Sequence, residues 1–476
     1  MAVLTPQEPA REWTAEEVVV TEAPVVRRAI GAAAIGNITE WYDFGVYAYF
    51  EPTIKEVFFS DLPDTLGTIA TFGLFAVAFL VRPFGGMFFG PLADRIGRNK
   101  VLATTMILMA LGTFAIGCIP SKDAIGIAAP LLLLLARLVQ GFSTGGEYGN
   151  AMTFIAEYAP DRKRGYLGSF LEFGTFTGYL LGAIVVTVAG ATLSEDQLLS
   201  WGWRIPFFVA LPLGIVGVYL RTRLADTPAY AALEQEADER EKEHRTSEEA
   251  KKLAGLWPFV LVCMGLVLAW NVTNYMLTSY MPTYVTDTMP SEQGGSGVSD
   301  TTSQLLQIAV MIVALITIPL LGMLSDRIGR KPIAWTGAVG LVVLGLPMIL
   351  LIRQQTGVAI FFGLLIMGLL LICFSATMPS TLPTLFPTEV RGAGLSIAFN
   401  VSVSLFAGTT SVVVGALVGA TGDLNWPGYY LVIAGVIGCV SVWFLQEPNG
   451  RKMWGSAPAA GSEQEAEEVA ARQPTA

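Results

Sequence analysis

The loop "GPLADRIGRNK" (residues 90–100) is written a second time, 232 positions later, as "GMLSDRIGRKP" (residues 322–332). A further pair, "APDRKRGYLGS" from Ala159 and "FPTEVRGAGLS" from Phe386, repeats an Arg-Gly step, Arg164-Gly165 and Arg391-Gly392, at a similar offset. Two matched loops at like spacing mark an internal duplication, and the runs around them decide what was duplicated.

Those runs are apolar. The chain of 476 residues is 53% hydrophobic and 14% charged, with a mean hydropathy of +0.56, a balance no soluble core of this size needs. A bilayer core asks for about 20 mainly apolar residues per helix. Such runs lie near 28–50, 66–90, 101–119, 126–151, 165–190, 201–220, 257–284, 303–324, 332–352, 357–386, 393–418 and 427–445. The sequence therefore predicts an all-α integral membrane fold of twelve transmembrane helices in two six-helix halves. Its expected parts are a tail at 1–27, a first half at 28–220, a linker at 221–256, a second half at 257–445 and a tail at 446–476.

Lysines and arginines gather in the tails and the even-to-odd loops; Lys55, Lys122 and Arg353 are the exceptions in loops on the other side. Short positively charged loops stay in the cytoplasm, which predicts a multi-pass bacterial cytoplasmic-membrane protein with both termini cytoplasmic. The net charge of -10 sits largely in the tails and linker and carries no information about cargo. Residues 1–26 lack the basic-then-apolar order of a cleaved signal peptide. Cys118, Cys263, Cys373 and Cys439 fall in or beside different apolar runs without metal spacing, as packing residues do. The one histidine, His244, lies in the polar linker, so no imidazole is expected inside the membrane. With no phosphate-binding loop, metal cluster or covalent nucleophile constellation, the expectation is a carrier and not an enzyme. It is expected to need no cofactor, to have no obligate protein partner and to bind no nucleic acid.

A charge inside a span is expensive and marks function by default. Glu40, Asp43, Arg82, Arg137, Glu147 and Glu172 all fall in the first half. At about 100 degrees per residue, Asn37, Glu40, Asp43, Phe44 and Tyr47 share one face of the first span. Arg137, Gln140 and Tyr148 share a face of the fourth, with Glu147 at its edge. Desolvation favours the neutral form of a carboxyl and a nearby guanidinium favours the charged form, so a site that switches between them can load and release a proton. Glu40, Asp43, Arg137, Glu147 and Glu172 are the proton-coupling candidates, Glu40 first. A static Arg137–carboxylate pair is the structural alternative.

The second half offers Trp270, Asn271, Asn274 and Tyr275 on one side of the seventh span, and Asn400 in the eleventh. Neutral donors beside aromatic faces suit a ligand with a carboxylate and an ammonium group. Together with Asn37, Phe44, Tyr47, Gln140 and Tyr148 they form the candidate substrate surface, in which Phe44 and Tyr47 are expected to meet the face around Tyr275. Asp94, Arg95, Gly97 and Arg98 in one loop, with Asp326, Arg327, Gly329 and Arg330 in the other, are expected to work as gates at the cytoplasmic helix ends.

The paired loops resemble the signature of the major facilitator superfamily. "GNITEWYDFGVY", "RLVQGFSTGGEY", "AEYAPDRKRG" and "WGWRIPFF" resemble its metabolite:proton symporter branch. The likeness spans about residues 28 to 445, and "RLVQG" matches a motif that the superfamily associates with proton coupling. Within the branch, "NVTNYMLTSYMPTYV" from Asn271 is most similar to carriers of proline and glycine betaine. The resemblance implies alternating access, uptake of a small zwitterionic osmolyte with a proton, and, as the rival within the branch, symport of an organic acid such as 2-oxoglutarate, citrate or shikimate. The short C-terminal segment, broken by Gly and Pro, cannot form the long coiled coil that some osmosensing members carry.

Overall fold

In hydrocarbon every backbone N–H and C=O must be satisfied within its own segment, so long apolar runs become helices. A computed structural model describes residues 13–21, 23–96, 98–145, 147–223, 253, 255–290, 298–388 and 390–471. All twelve expected runs are helical columns in it. The first half contains α1 (Ala23–Tyr49), the short α2 (Glu51–Phe59), then α3 (Asp64–Leu80) continued by α4 (Arg82–Ile96). It goes on with α5 (Arg98–Cys118), α6 (Ala128–Ser143) continued by α7 (Glu147–Tyr158), α8 (Arg164–Thr192) and α9 (Arg204–Arg223). The second half contains α10 (Trp257–Tyr275), α11 (Asp300–Ile328), α12 (Arg330–Ile352) and α13 (Gly357–Ser375). It closes with α14 (Arg391–Ser402), α15 (Thr410–Thr421) and α16 (Trp426–Phe444). Most of the 221–256 linker, His244 included, lies outside the described residues.

Among the described residues nine helical columns are long and apolar enough to span a bilayer, and a tenth is a bent pair, Glu195–Gly202 with Arg204–Val216, at 44°. The other two columns are α1 and α5. Asn37, Glu40 and Asp43 lower the hydropathy of α1, which is a span only because neighbours cover its polar face, and α5 opens on Arg98, Asn99 and Lys100 before a shorter apolar stretch, Thr104–Cys118.

Helix association in lipid depends on close backbone approach, because tails are as apolar as leucine. Gly174, Gly178 and Gly182 recur every fourth residue along α8 and form one stripe against α1. A Cβ at Gly174 would lie 2.6 Å from the Ala34 carbonyl oxygen, and one at Gly178 2.6 Å from that of Ile38. The stripe therefore sets how deep the polar face of α1 sits. The halves meet where α8 packs on α11, α3 on α15, and α7 on α14. Large apolar residues such as Leu131, Leu135, Ile215 and Trp443 face outward, as lipid contact requires.

Contacts between the halves close both ends of the seam. At one end both carboxylate oxygens of Asp326 accept from the Gly165 and Tyr166 N–H groups, at 2.8 Å each, and Arg391 Nη1 meets Glu157 Oε1 at 2.7 Å. At the other, Thr283 Oγ1 donates to Glu51 Oε2 at 2.7 Å and Lys55 pairs with Asp287 at 3.5 Å. Beyond the helical core the tails add one feature that periodicity did not announce: β1 (Val19–Val20) pairs in parallel with β2 (Ala459–Ala460), followed by α17 (Glu463–Ala471).

Candidate functional site

The polar face of α1 turns into the first half. Glu40 and Arg82, both essentially buried, form an ion pair at 3.0 Å. The guanidinium lies over the rings of Phe79 (4.7 Å), Phe44 (4.9 Å) and Trp41 (5.8 Å), so its charge is paired at Nη2 and its face is covered by rings, while Nε is buried without a hydrogen-bond partner. The static Arg137–carboxylate pair weighed as an alternative is not the pair that Glu40 forms. Arg137 is held by Gln140 Oε1 at 2.9 Å and stacks over Tyr47 at 4.1 Å, and the guanidinium that reaches Glu40 belongs to Arg82. The start of α4 places Arg82 beside Trp41 and Phe44, a juxtaposition that the position of an arginine in an apolar run does not disclose.

Asp43 lies one turn along from Glu40. Its Oδ2 accepts from Thr113 Oγ1 at 2.6 Å, and the same hydroxyl accepts from Gln140 Nε2 at 2.6 Å. The chain Asp43–Thr113–Gln140–Arg137 thus joins the first, third and fourth columns, while Asp43 Oδ1 is buried without a hydrogen-bond partner. Glu172 on α8 accepts from the Tyr148 hydroxyl and from Thr175 Oγ1 at 3.0 Å. Asn37 donates to Thr175 Oγ1 at 2.5 Å and to the Leu171 carbonyl at 2.8 Å, and accepts from Trp41 Nε1 at 2.9 Å. Glu147 opens α7 and is buried. Of the five proton-coupling candidates, the structure brings Glu40, Asp43 and Arg137 into one aromatic-walled cluster around α1. Glu172 sits in the neighbouring Tyr148–Thr175–Asn37 cluster.

Across the seam the second half presents no carboxylate at that depth among the described residues. Trp270 donates to Ser375 Oγ at 3.0 Å and packs near Tyr148, which stacks on Phe399 at 4.9 Å. Asn274 Nδ2 reaches Tyr179 Oη of the first half at 3.4 Å, and its Oδ1 has no hydrogen-bond partner. Tyr275 meets Phe79 (5.0 Å), Phe75 (5.9 Å) and Trp41 (6.3 Å), with its hydroxyl buried and unpartnered. The rings that meet Tyr275 are therefore these three. Phe44 and Tyr47, expected there, pack instead on Phe79 and Phe75 beneath the two arginines, because they lie one and two turns further round the α1 face. Asn271 and Asn400 turn their amides back to the carbonyls of Val267 (3.2 Å) and Ser396 (2.9 Å). Thr113, Trp41, Phe75, Phe79, Tyr179, Ser375 and Phe399 complete the site. Apart from Tyr179, which lies two helical turns beyond Glu172 on one face of the fifth span, none carried a signal in the sequence, since hydroxyls and rings are common in any span.

Beyond Tyr275 the seventh column widens into π turns at Met276–Tyr280 and Tyr284–Thr288, a local distortion frequent at functional positions. At the Asp326 end, Arg330 is fully buried and reaches Asp326 at 3.4 Å, while Arg327 points outward. Gly329 takes a φ of 100°, which a side chain would strain, and so delivers the Arg330 and Lys331 N–H groups to Glu447 at 2.9 and 2.8 Å. The side chains of Asp94, Arg95 and Arg98, with Gly97, lie outside the described residues, as does Glu389.

A family model described as "Sugar (and other) transporter" matches residues 29–453. The chain is 44% identical over 464 residues to the "Proline/betaine transporter" of Escherichia coli (strain K12), covering 96% of this chain and 90% of that protein. It is 44% identical over 459 residues to the "Glycine betaine/proline/ectoine/pipecolic acid transporter OusA" of Dickeya dadantii (strain 3937), covering 95% and 90%. Among solved structures it resembles the proton:xylose symporter XylE of the major facilitator superfamily, bound to 6-bromo-6-deoxy-D-glucose. That match has a TM-score of 0.72 at 19% identity and covers 94% of this chain and 99% of that one, a likeness of fold.

Proposed function

This chain belongs to the sugar (and other) transporter family within the major facilitator superfamily, and on that premise we propose that it takes up proline or glycine betaine together with a proton. It is a multi-pass membrane protein. Its termini, the Asp326 end of the seam and the 221–256 linker face the cytoplasm by the lysine and arginine distribution, so the Glu51 end faces out. Substrate sits near mid-membrane between halves that rock about it, and the proton gradient alone supplies the energy.

The observation that carries the proposal is the shared guanidinium. Arg82 is neutralised by Glu40 and lies over rings that also line the seam against Tyr275. A proton arriving on Glu40 cancels its charge and releases Arg82, which then takes the carboxylate of an incoming zwitterion. The ligand's ammonium rests against Trp41, Tyr275 and the neighbouring rings, a contact worth about 2 kcal/mol when desolvated. Loading a proton and loading cargo thereby become one event, and neither arginine is left uncompensated. Asp43, Arg137, Glu147 and Glu172 tune or relay that proton. Asn37, Phe44, Tyr47, Gln140, Tyr148, Trp270, Asn271, Asn274 and Asn400 shape the cavity. A dicarboxylate would bring a second charge with no further cation, since Arg137 is engaged by Gln140 and Tyr47, at a cost of several kcal/mol.

Uptake into proteoliposomes tests the proposal. Unlabelled glycine betaine should compete with labelled proline, whereas 2-oxoglutarate, citrate and shikimate should not. Net positive charge should enter with the cargo. Robust uptake of an organic acid with none of proline or betaine would replace the osmolyte by the organic-acid alternative.

A further inference from the structure

Glu51 opens α2, just past the last residue of the first span, and its side chain is 1% exposed. It lies on the seam. Its Oε2 is held by the Thr283 hydroxyl of the other half at 2.7 Å, between the two π turns of the seventh column, and its Oε1 has no hydrogen-bond partner. The cation one turn away does not neutralise it: Lys55 is drawn to Asp287 at 3.5 Å and Asp64 at 4.0 Å. The charged groups facing Glu51 are Lys55 from its own helix, Asp287 from the seventh column and Asp300 from the start of α11. Asp64 of α3 lies behind Lys55, and Lys122, before α6, is occupied by Asp61.

We propose that Glu51 is a proton-operated latch of the outer mouth, holding the halves together as the neutral acid and parting them as the carboxylate. The inference rests on the orientation and proton-driven uptake proposed above. Its own basis is the buried, half-satisfied carboxyl in a contact that must break whenever the carrier opens outward. A hydroxyl can donate or accept, so Thr283 bridges either form, but only the neutral form tolerates the dry seam without a cation. Burial pushes the Glu51 carboxyl up to about 8, opposed by the Thr283 hydrogen bond and Lys55 and aided by Asp287 and Asp300.

The closed mouth therefore binds this proton more tightly than an open, hydrated one, in which an ordinary glutamate value is restored. Closure is fully favoured below that ordinary value and is lost as external pH rises through about 8. Acid outside thus drives the outer mouth shut over a loaded site, the direction that uptake down a proton gradient needs.

Spin labels on the exposed outer loops, at Leu62 in the first half and Gln354 in the second, report the opening of the mouth without any cargo present. In a cysteine-free background the closed-to-open ratio should fall at least about ten-fold between about pH 5.5 and about pH 8.5. Glu51→Gln should keep the short distance throughout. Thr283→Val, which retains the carboxyl and removes the bridge, should open at lower pH while still responding. A pH response in Glu51→Gln equal to that of the parent, or a parent distance that ignores pH, would overturn the latch. Loss of the response in Glu40→Gln instead would assign it to the central carboxylate. Because the distance is read without transport, failure of the osmolyte reading leaves this result interpretable.

Discussion

The first half buries Glu40, Asp43, Glu172, Arg82 and Arg137 among its own helices, whereas the corresponding wall of the second half is Asn271, Asn274, Thr278, Ser375 and Asn400. The second half's buried arginines, Arg330 and Arg391, lie at the Asp326 end, where the loops are repeated. Duplication has preserved the helices and the loop sequence but not the interior. The physical reason is that each buried charge costs several kcal/mol unless it is paired, so one compensated cluster is cheaper to maintain than two. The second half, whose mid-depth wall carries no charge among the described residues, is left free to supply rings and amides there. In the proposed cycle, proton and cargo chemistry are divided across the seam, and coupling passes through contacts that cross it, such as Tyr275 on Phe79 and Asn274 on Tyr179.

The sharpest way to break this division is to unbalance the charged half. Arg82→Ala leaves Glu40 buried without its cation and should lower stability by about 3–5 kcal/mol, read as thermal unfolding in detergent. Glu40→Gln in the same chain should restore much of that loss, a non-additivity that a double-mutant cycle measures. Full additivity would show that the two residues are not partners in the working protein.

Next in size is Glu40→Gln alone. One elementary charge crossing about 100 mV carries about 2.3 kcal/mol, equivalent to about fifty-fold accumulation. This variant should lose that factor while still exchanging labelled for unlabelled proline across the membrane. Accumulation at the parent's level, with loss in Glu147→Gln or Glu172→Gln, would move the proton site.

Where the halves should match is the gate. Asp326→Asn weakens two charge-assisted bonds to the start of α8 and should slow turnover about ten-fold, with little change in cargo affinity. Asp94→Asn should do the same, because the loop is repeated, and a difference between the two larger than that factor would show that the copies have diverged in use. The smallest effect belongs to the neutral half: Tyr275→Leu removes one ring from the seam and should weaken betaine binding by about 1 kcal/mol, or five-fold, measured by equilibrium competition. No weakening would take Tyr275 out of the cargo site.

Much of the architecture was legible because its signals are local. A run of twenty apolar residues, a loop written twice and a lysine bias each declare themselves within a window of sequence. The polar face of α1 was legible for the same reason, since Asn37, Glu40 and Asp43 are one helical period apart. Pairing across elements is not local. Nothing in the run around Arg82 distinguishes it from Arg137 as the partner of Glu40, and Thr113 looks like any hydroxyl in a span.

The sequence by itself determined twelve helices, two halves, the placement of membrane charges in the first of them and the repetition of one loop in both. Those follow from composition and period, which every backbone in a bilayer must obey. Only the tertiary structure decided which guanidinium neutralises Glu40, which rings face Tyr275, and that Glu51 is sealed into the seam. Such matters depend on the depth and rotation of one helix against another, fixed here by a glycine stripe that lets α8 approach α1 to within contact of its backbone. A shift of one residue there would present a different face.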